Sequence, residues 1–326
     1  MYIITGGAGF LGSAMVWQLN QSGVRDIIIV DNLGESGKWR NLRNLVYTDY
    51  FHKDTFMEMI LHGEEPWETP QAVIHMGASS STTVQDMDFL WENNLRYSQT
   101  LCAWALERGI RFINASSAAT YGDGGLGFDD DHEGLDALRP LNPYGYSKHR
   151  FDLWARDKGL LDAIVSLKFF NVFGPNEYHK GEMRSMVCKA FEQINERGSL
   201  RLFRSHRDDY PNGGQMRDFV YVKDCTALMA WFLENPRANG VFNVGTGMAR
   251  TWNDLAVAVF AAMGAQERIE YIPMPETIRG SYQYFTEARM DRLRSAGAPA
   301  PSTSLEDGVA DYVRGYLAAD DPHLQG

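Results

Sequence analysis

The residues best equipped for chemistry sit in Asn142-Pro143-Tyr144-Gly145-Tyr146-Ser147-Lys148. Pro143 fits the first turn of a helix, where its missing N–H has no partner, and Asn142 before it suits an N-cap. A helix begun there carries Tyr144 and Lys148 on one face, four residues apart, while Tyr146 points elsewhere. A phenol beside an ammonium is a usable acid/base, because a free tyrosine titrates near ~10 and a fixed cation favours the phenolate. Bringing that value down to about 7–8 takes roughly 3–4 kcal/mol. A desolvated Lys148 and a bound cationic nicotinamide would supply it between them. Tyr-x-x-x-Lys also occurs in helices that do nothing, so its surroundings must decide.

A hydroxyl partner lies upstream. Phe112-Ile113-Asn114 reads as a strand, followed directly by Ala115-Ser116-Ser117-Ala118-Ala119-Thr120-Tyr121-Gly122. A Ser at the carboxyl end of a strand can bind a substrate oxygen and share its proton with Tyr144. Ser117 is the candidate.

The N-terminus supplies a place for a cofactor. Tyr2-Ile3-Ile4 is a strand run, Thr5-Gly6-Gly7-Ala8-Gly9-Phe10-Leu11-Gly12 a glycine turn, and the following helical pattern closes at Gly23. Ile27-Ile28-Ile29-Val30 then forms a second strand ending in Asp31. Strand, turn, helix, strand and acid make a βαβ unit. Gly6, Gly9 and Gly12 allow a tight turn and close approach to a pyrophosphate on the helix N-terminus, and Asp31 lies where an acid grips the adenosine ribose. Asp31 alone favours NAD. Lys38, Arg40 and Arg43, with Lys53 further on, could instead neutralise the 2′-phosphate of NADP. The residues leave that choice open.

Further elements follow in order. Leu45-Val46-Tyr47 reads as a strand, Asp54 to Leu61 as a helix and Ala72 to His75 as a strand. The small residues of the loop Met76 to Thr82, at that strand's carboxyl end, suit close approach to a cofactor. His75 reads as a satisfied strand residue. A long helix is expected from Glu92 to Arg108, starting near Asn93, and a strand from Ile164 to Phe170. Helices are expected over Met183–Glu196, Trp252–Met263, Glu287–Ala296 and Leu305–Ala318, with a strand at Leu200–Arg204. A loop is expected through Ile278-Arg279-Gly280, and a frayed tail at Asp320-Asp321-Pro322.

The sequence resembles the extended short-chain dehydrogenase/reductases, through the glycine turn, Ser117 four before Tyr121, and the Tyr144/Lys148 pair. It is most similar to the ADP-glycero-manno-heptose 6-epimerase family. The strings that carry this likeness are HMGASSSTT (His75–Thr83), ASSAATYG (Ala115–Gly122), PLNPYGYSK (Pro140–Lys148), FNVFGPNEYHKG (Phe170–Gly181), RDFVYVKD (Arg217–Asp224) and FNVGTG (Phe242–Gly247). The resemblance implies a Rossmann-like, doubly wound parallel α/β sheet with a smaller mixed α/β substrate domain. It implies inversion at C6 of ADP-heptose by transient oxidation to a ketone with tightly bound NADP, supplying lipopolysaccharide core heptose.

By the same resemblance, Tyr144 is one acid/base and Lys180 the other, serving the opposite stereochemistry. Lys148 orients the nicotinamide ribose, and Ser117 binds the reacting oxygen. Phe10, Leu11, Asp31, Asn32, Lys38, Lys53, Met76, Gly77, Ala78, Ser79, Ser80, Asn93 and Val172 surround the cofactor, and the resemblance tips it to NADP. Asn171, at a strand end, touches substrate. Phe203, Arg204, Ser205, His206, Arg217 and Tyr282 hold the ADP-sugar, and the guanidinium fork of Arg217 suits a pyrophosphate on its own chemistry. Glu182, Lys189 and a long loop over Arg207–Met216 depart from the family pattern at the substrate side. The cofactor domain is expected over 1–170, with about 218–243 and 285–300. The substrate domain takes 171–217, 244–284 and 301–326. A homo-oligomer is implied, pentamers among the family's forms.

The bulk numbers fit. The chain has 326 residues, 44% hydrophobic and 22% charged, an ordinary balance for a globular enzyme of one or two domains. A net charge of −11 argues against a nucleic-acid partner. No apolar run reaches the ~20 residues a membrane helix needs, and Met1 to Gly6 lacks a signal-peptide pattern. Cys102, Cys188 and Cys225 have no metal-ligand spacing and read as thiols of a reducing compartment, which suggests a cytoplasmic location with no resident metal. A nucleotide-hexose 4-epimerase would share Ser117, Tyr144 and Lys148 but has no need of Lys180. A 4,6-dehydratase would carry an acidic pair after the Ser, where Ala118-Ala119-Thr120 stand. A nicotinamide-sensing binding protein would be expected to lose Tyr144 or Lys148.

Overall fold

The computed structural model describes residues 1–279 and 282–326. β-branched runs without polar alternation build strands buried on both faces. The first strands are β1 (Tyr2–Thr5), β2 (Ile27–Asp31), β3 (Asp49–His52), β4 (Ala72–His75), β5 (Arg111–Ser117) and β6 (Ile164–Phe169), of which β3, at the sheet edge, is partly exposed instead. The later strands are β7 (Asn171–Phe173), β8 (Leu200–Phe203), β9 (Met216–Tyr221), β10 (Gly240–Val244), β11 (Ala249–Thr251) and β12 (Ile269–Ile272). One sheet runs β10-β6-β5-β4-β1-β2-β3 with every pair parallel. It is the expected doubly wound Rossmann-like sheet. The chain winds outward from β1 in one direction through β2 and β3, then in the other through β4, β5 and β6. Between β1 and β4, where Thr5 pairs with His75, the direction reverses, and a crevice opens at the carboxyl ends of those strands. The site lies there.

The helices are α1 (Phe10–Gln21), α2 (Lys53–His62), α3 (Met87–Leu90), α4 (Tyr97–Glu107), α5 (Pro143–Asp157), α6 (Met186–Arg197), α7 (Val222–Glu234), α8 (Trp252–Met263), α9 (Glu276–Arg279), α10 (Asp291–Ser295) and α11 (Leu305–Tyr312). A smaller layer holds the sheet β11-β9-β7 and the parallel pair β12-β8. Two apolar clusters result. One surrounds the large sheet around Ile3, Ile29, Phe112 and Leu167. The second packs α6, α8 and α11 through Val187, Val259 and Val309, and takes in Phe10 and Ala14 of α1.

Several expectations need correction. Val46 is not in a strand, because Asn20 takes both its backbone N–H and its carbonyl; the sheet edge is β3 instead. The helix expected near Asn93 begins at Met87, capped by Asp86, and passes through a π-turn over Trp91–Arg96 before α4. α6 starts at Met186, capped by Ser185, after a 3₁₀ stretch over Tyr178–Met183. Of the helix expected over Glu287–Ala296 only Asp291–Ser295 forms, and the last one turns to a π-turn over Val313–Leu317. Residues 320–326 are docked rather than frayed. Leu324 is fully buried, its N–H donates to the Asn176 side chain, and Asp321 pairs with Arg43. The loop expected through Gly280 lies in part outside the described residues.

Candidate functional site

The glycine turn forms as its spacing requires. Gly6 takes a left-handed φ of 64°, and a Cβ on Gly12 would overlap the Gly6 carbonyl oxygen, so the turn and the start of α1 close on each other. Asp31, buried at the end of β2, accepts the Ala8 N–H at 2.9 Å and the Asn32 N–H at 2.7 Å. Lys38 closes on the same carboxylate at 2.6 Å. Of the other basic residues in this region, Lys53 pairs with Asp54, Arg43 with Asp321, and Arg40 lies over the Trp39 ring.

On the far side of the crevice, the Asn142 side chain accepts the Gly145 N–H at 2.8 Å and starts α5 with Pro143 in its first turn. A Cβ on Gly145 would stand 2.7 Å from the Ala119 carbonyl oxygen. Only glycine lets the helix approach the segment after β5 so closely, and that approach brings Tyr144 to Ser117. Burial pushes the Tyr144 phenol above its ordinary value, and the nearby Ser117 hydroxyl opposes the rise. The expected lowering by Lys148 is not found. That ammonium is itself driven down to about 8 by burial, against the attraction of Asp152, and its Nζ is buried without a hydrogen-bond partner. Tyr146 is exposed and turned toward Trp91, as its place on the helix demands.

Lys180 reaches the same cavity from the 3₁₀ stretch after β7. Its Nζ lies 5.1 Å from the centroid of the Phe10 ring. Burial lowers its pKa, with the nearby Glu177 carboxyl opposing. His179 beside it is brought down to about 4 by burial and by Lys38 and Lys180, so its ring is neutral near neutrality.

Two adjoining cavities, about 500 and 230 Å³, share Gly6, Asp31, Lys38, Gly77 and Ala78. The larger is lined by Ser117, Tyr144, Lys148, Asn171 and Lys180 together with Gly9, Phe10, Leu11, Gly12, Met76, Ser80 and Val172. The smaller adds Asn32, Lys53, Ser79 and Asn93. Every residue expected at the cofactor therefore borders one cavity or the other. A dinucleotide fits this ground: the glycine cradle has no room for side chains, and the unpartnered Lys148 ammonium is a donor awaiting an oxygen.

The substrate side gathers less completely. Arg217 is buried, donates to the carbonyls of Met216 and Gln283, and is flanked by Tyr282 at 5.2 Å and Trp252 at 5.7 Å. Trp252 donates to the Tyr282 hydroxyl and borders the larger cavity. Phe203, Arg204, Ser205 and His206 lie outside both cavity linings; the His206 N–H donates to the Tyr284 hydroxyl, and Arg204 to the Tyr271 carbonyl. Glu182 and Lys189 bond to each other on the surface, away from the cavity.

Other parts of the site escaped sequence reasoning. Asp152, one turn beyond Lys148, accepts Ser116 and Ser166 at 2.7 Å each and stands 3.5 Å from Lys168, all fully enclosed. Lys168 donates to Thr120, which follows Ser117. A lysine inside an apolar strand was the available signal. Asn94, on the π-turn, uses both its donors and its carbonyl oxygen: it bonds the N–H and C=O of Ser79, the Asn93 side chain and the Ser147 hydroxyl. Trp252 gave no signal, being one of many helix-start aromatics. His75 is the satisfied strand residue expected, held between Thr5 and Ser98.

Comparison with known proteins agrees with this geometry. The model of the NAD dependent epimerase/dehydratase family matches residues 2–245. The chain is 65% identical over 324 residues to the ADP-L-glycero-D-manno-heptose-6-epimerase of Nitratidesulfovibrio vulgaris, covering 99% of this chain and 100% of that one. Among solved structures, the ADP-L-glycero-D-manno-heptose-6-epimerase of Helicobacter pylori superposes with a TM-score of 0.79 at 23% identity, over 98% of this chain and 96% of the other. The UDP-glucose 4-epimerase of Thermus thermophilus, in complex with NAD, gives 0.72 at 26%, over 95% and 96%.

Proposed function

The chain belongs to the NAD dependent epimerase/dehydratase family and, within it, to the ADP-L-glycero-D-manno-heptose-6-epimerases, and we propose that it works with Tyr144 and Lys180 as its two acid/base groups and NADP as its cofactor. It is an isomerase that inverts C6 of ADP-D-glycero-D-manno-heptose to give ADP-L-glycero-D-manno-heptose, a heptose donor for the lipopolysaccharide core. The observation that carries the mechanistic reading is the convergence of Ser117, Tyr144, Lys148 and Lys180 on one cavity with the glycine turn.

The glycine turn and Lys148 would hold NADP, which would supply reversible hydride acceptance at C6 with no net oxidation. The chain manages the protons. Tyr144 takes the C6 hydroxyl proton of one epimer while Ser117 holds the oxygen. Lys180, coming from a different element, gives a proton to the oxygen as the other epimer forms, and takes it in the reverse direction. Both groups need pKa values nearer neutrality than a free phenol or ammonium has. Burial brings Lys180 down unaided, whereas Tyr144 needs an added positive charge nearby. A bound nicotinamide would bring that charge, and Lys148 would bond its ribose.

The preference for NADP is supported by Lys38. With Asp31 already neutralised by that ammonium and two N–H groups, the carboxylate no longer repels a phosphate. Arg217, stacked between two aromatic rings, suits the substrate's pyrophosphate. We assign the cofactor to 1–170 with about 218–243 and 285–300, and the sugar nucleotide to the remainder. A homo-oligomer in the cytoplasm, pentamers among the candidate forms, completes the reading; sedimentation velocity tests the subunit number. No helix among the described residues is long and apolar enough to cross a membrane.

The test is incubation with ADP-D-glycero-D-manno-heptose while the C6 proton is followed by NMR, with the nucleotide released from denatured protein identified in parallel. Interconversion of the two epimers with NADP released is expected. A keto product, or no change at C6, would overturn the reading.

A further inference from the structure

Lys180 stands on a turn that is held from three directions by residues distant in sequence. Asn176 has the one positive φ of any non-glycine residue among those described, at 75°, and is fully buried. A residue in that conformation persists only where its surroundings fix it. Its Nδ2 donates to Ser13 on α1 at 3.0 Å, and its Oδ1 accepts the Leu324 N–H at 3.0 Å. The Asn41 side chain donates to the Asn176 carbonyl at 3.0 Å, to the Ala8 carbonyl of the glycine turn at 2.9 Å, and approaches the His179 ring at 3.2 Å. Tyr178 donates to the Pro322 carbonyl at 2.6 Å, and its ring meets His323 edge-on at 5.3 Å. Leu324 is fully buried in the second apolar cluster.

We propose that the segment Pro322-His323-Leu324, acting with Asn41, is a positioning element that fixes the 176–180 turn and thereby holds Lys180 at the cavity wall. The inference rests on Lys180 being the second acid/base. The tail's hydrogen bonds to the turn run through Asn176 and Tyr178. Asn41 extends the hold to Ala8, so the phosphate-binding turn and the Lys180 turn are anchored to one side chain. Because an ångström of misplacement can cost about 10²-fold in rate, release of the tail should be felt first in the half-reaction that uses Lys180. The half-reaction that uses Tyr144, on α5, should be spared.

The experiment uses the full chain loaded with cofactor, as Tyr178→Phe and as the double variant Tyr178→Phe/Leu324→Ala. Single-turnover oxidation of each C6 epimer is measured, together with amide hydrogen exchange over 176–183. Lys180→Met is run alongside and identifies the epimer whose oxidation depends on Lys180. The expected result is faster exchange over 176–183, with oxidation of that epimer slowed on the order of tenfold in the double variant and less in Tyr178→Phe. Oxidation of the other epimer should change by less than about twofold. Equal slowing of both epimers, or no slowing despite faster exchange, overturns the proposal. Should Lys180→Met itself slow both epimers alike, the role of Lys180 fails, a result distinct from failure of the tail's role alone. If the double variant does not fold, the ratio of the two rates in Tyr178→Phe, which loses only a hydroxyl, decides by the same criterion.

Discussion

Replacing Lys148 by methionine should strengthen the fold while disabling the enzyme. The Lys148 ammonium is almost completely enclosed and has no hydrogen-bond partner, and burial brings its pKa from the ordinary 10.5 to about 8. At about 1.4 kcal/mol per pH unit, that difference makes the charged form cost about 3 kcal/mol in the fold relative to the neutral one. A lysine whose folded pKa is depressed carries this penalty in full below about pH 8 and sheds it as pH rises toward 10.5, since over that interval the unfolded chain binds more protons. Methionine keeps the stem's packing and removes the charge. Urea unfolding of the cofactor-free chains should therefore show Lys148→Met more stable by roughly 1–3 kcal/mol at pH ~7, with the gap shrinking to under about 1 kcal/mol near pH ~10. Turnover should fall by orders of magnitude in the same variant. A less stable variant at neutral pH, or a gap that does not depend on pH, would refute the claim that Lys148 is a buried charge without a hydrogen-bond partner.

Tyr144→Phe removes one oxygen and should lower turnover by about 10³-fold or more while cofactor affinity changes little, which fluorescence titration and steady-state rates together test. Lys38→Met leaves Asp31 uncompensated, so NADP affinity should drop on the order of tenfold and NAD affinity should change less, read by titrating each nucleotide. Gly12→Ala drives a methyl into the Gly6 carbonyl, and both cofactor retention and thermal stability should be lost together. Arg217→Leu keeps bulk between Trp252 and Tyr282 but removes the charge; KM for the sugar nucleotide should rise about tenfold or more with kcat less affected.

What could be read from the sequence were the parts whose logic is local. The glycine turn, Asp31, and the helix that starts at Asn142 each declare themselves within a few residues, because a turn or a cap is satisfied by its own neighbours. Val46 has a strand-like local sequence, but its backbone bonds to Asn20, a partner no window around residue 46 contains. The start of the helix at Met87 was missed because the π-turn breaks the apolar period that locates helices. Tail docking depends on a pocket built by Asn176 and Tyr178, and nothing in the composition of 320–326 announces it. The expected coupling of Lys148 to Tyr144 assumed that helical spacing implies contact. The spacing is right, but burial and the Ser117 hydroxyl, not Lys148, act on the Tyr144 phenol.

The carboxamide of Asn94 joins the Ser79 backbone, which belongs to the cofactor loop, to Ser147, which sits on α5 between Tyr144 and Lys148. Two walls of the crevice are thus riveted through a single side chain with no spare donor. Hinging between those walls would break several buried bonds at once, so the cofactor loop and α5 keep their spacing as one rigid body.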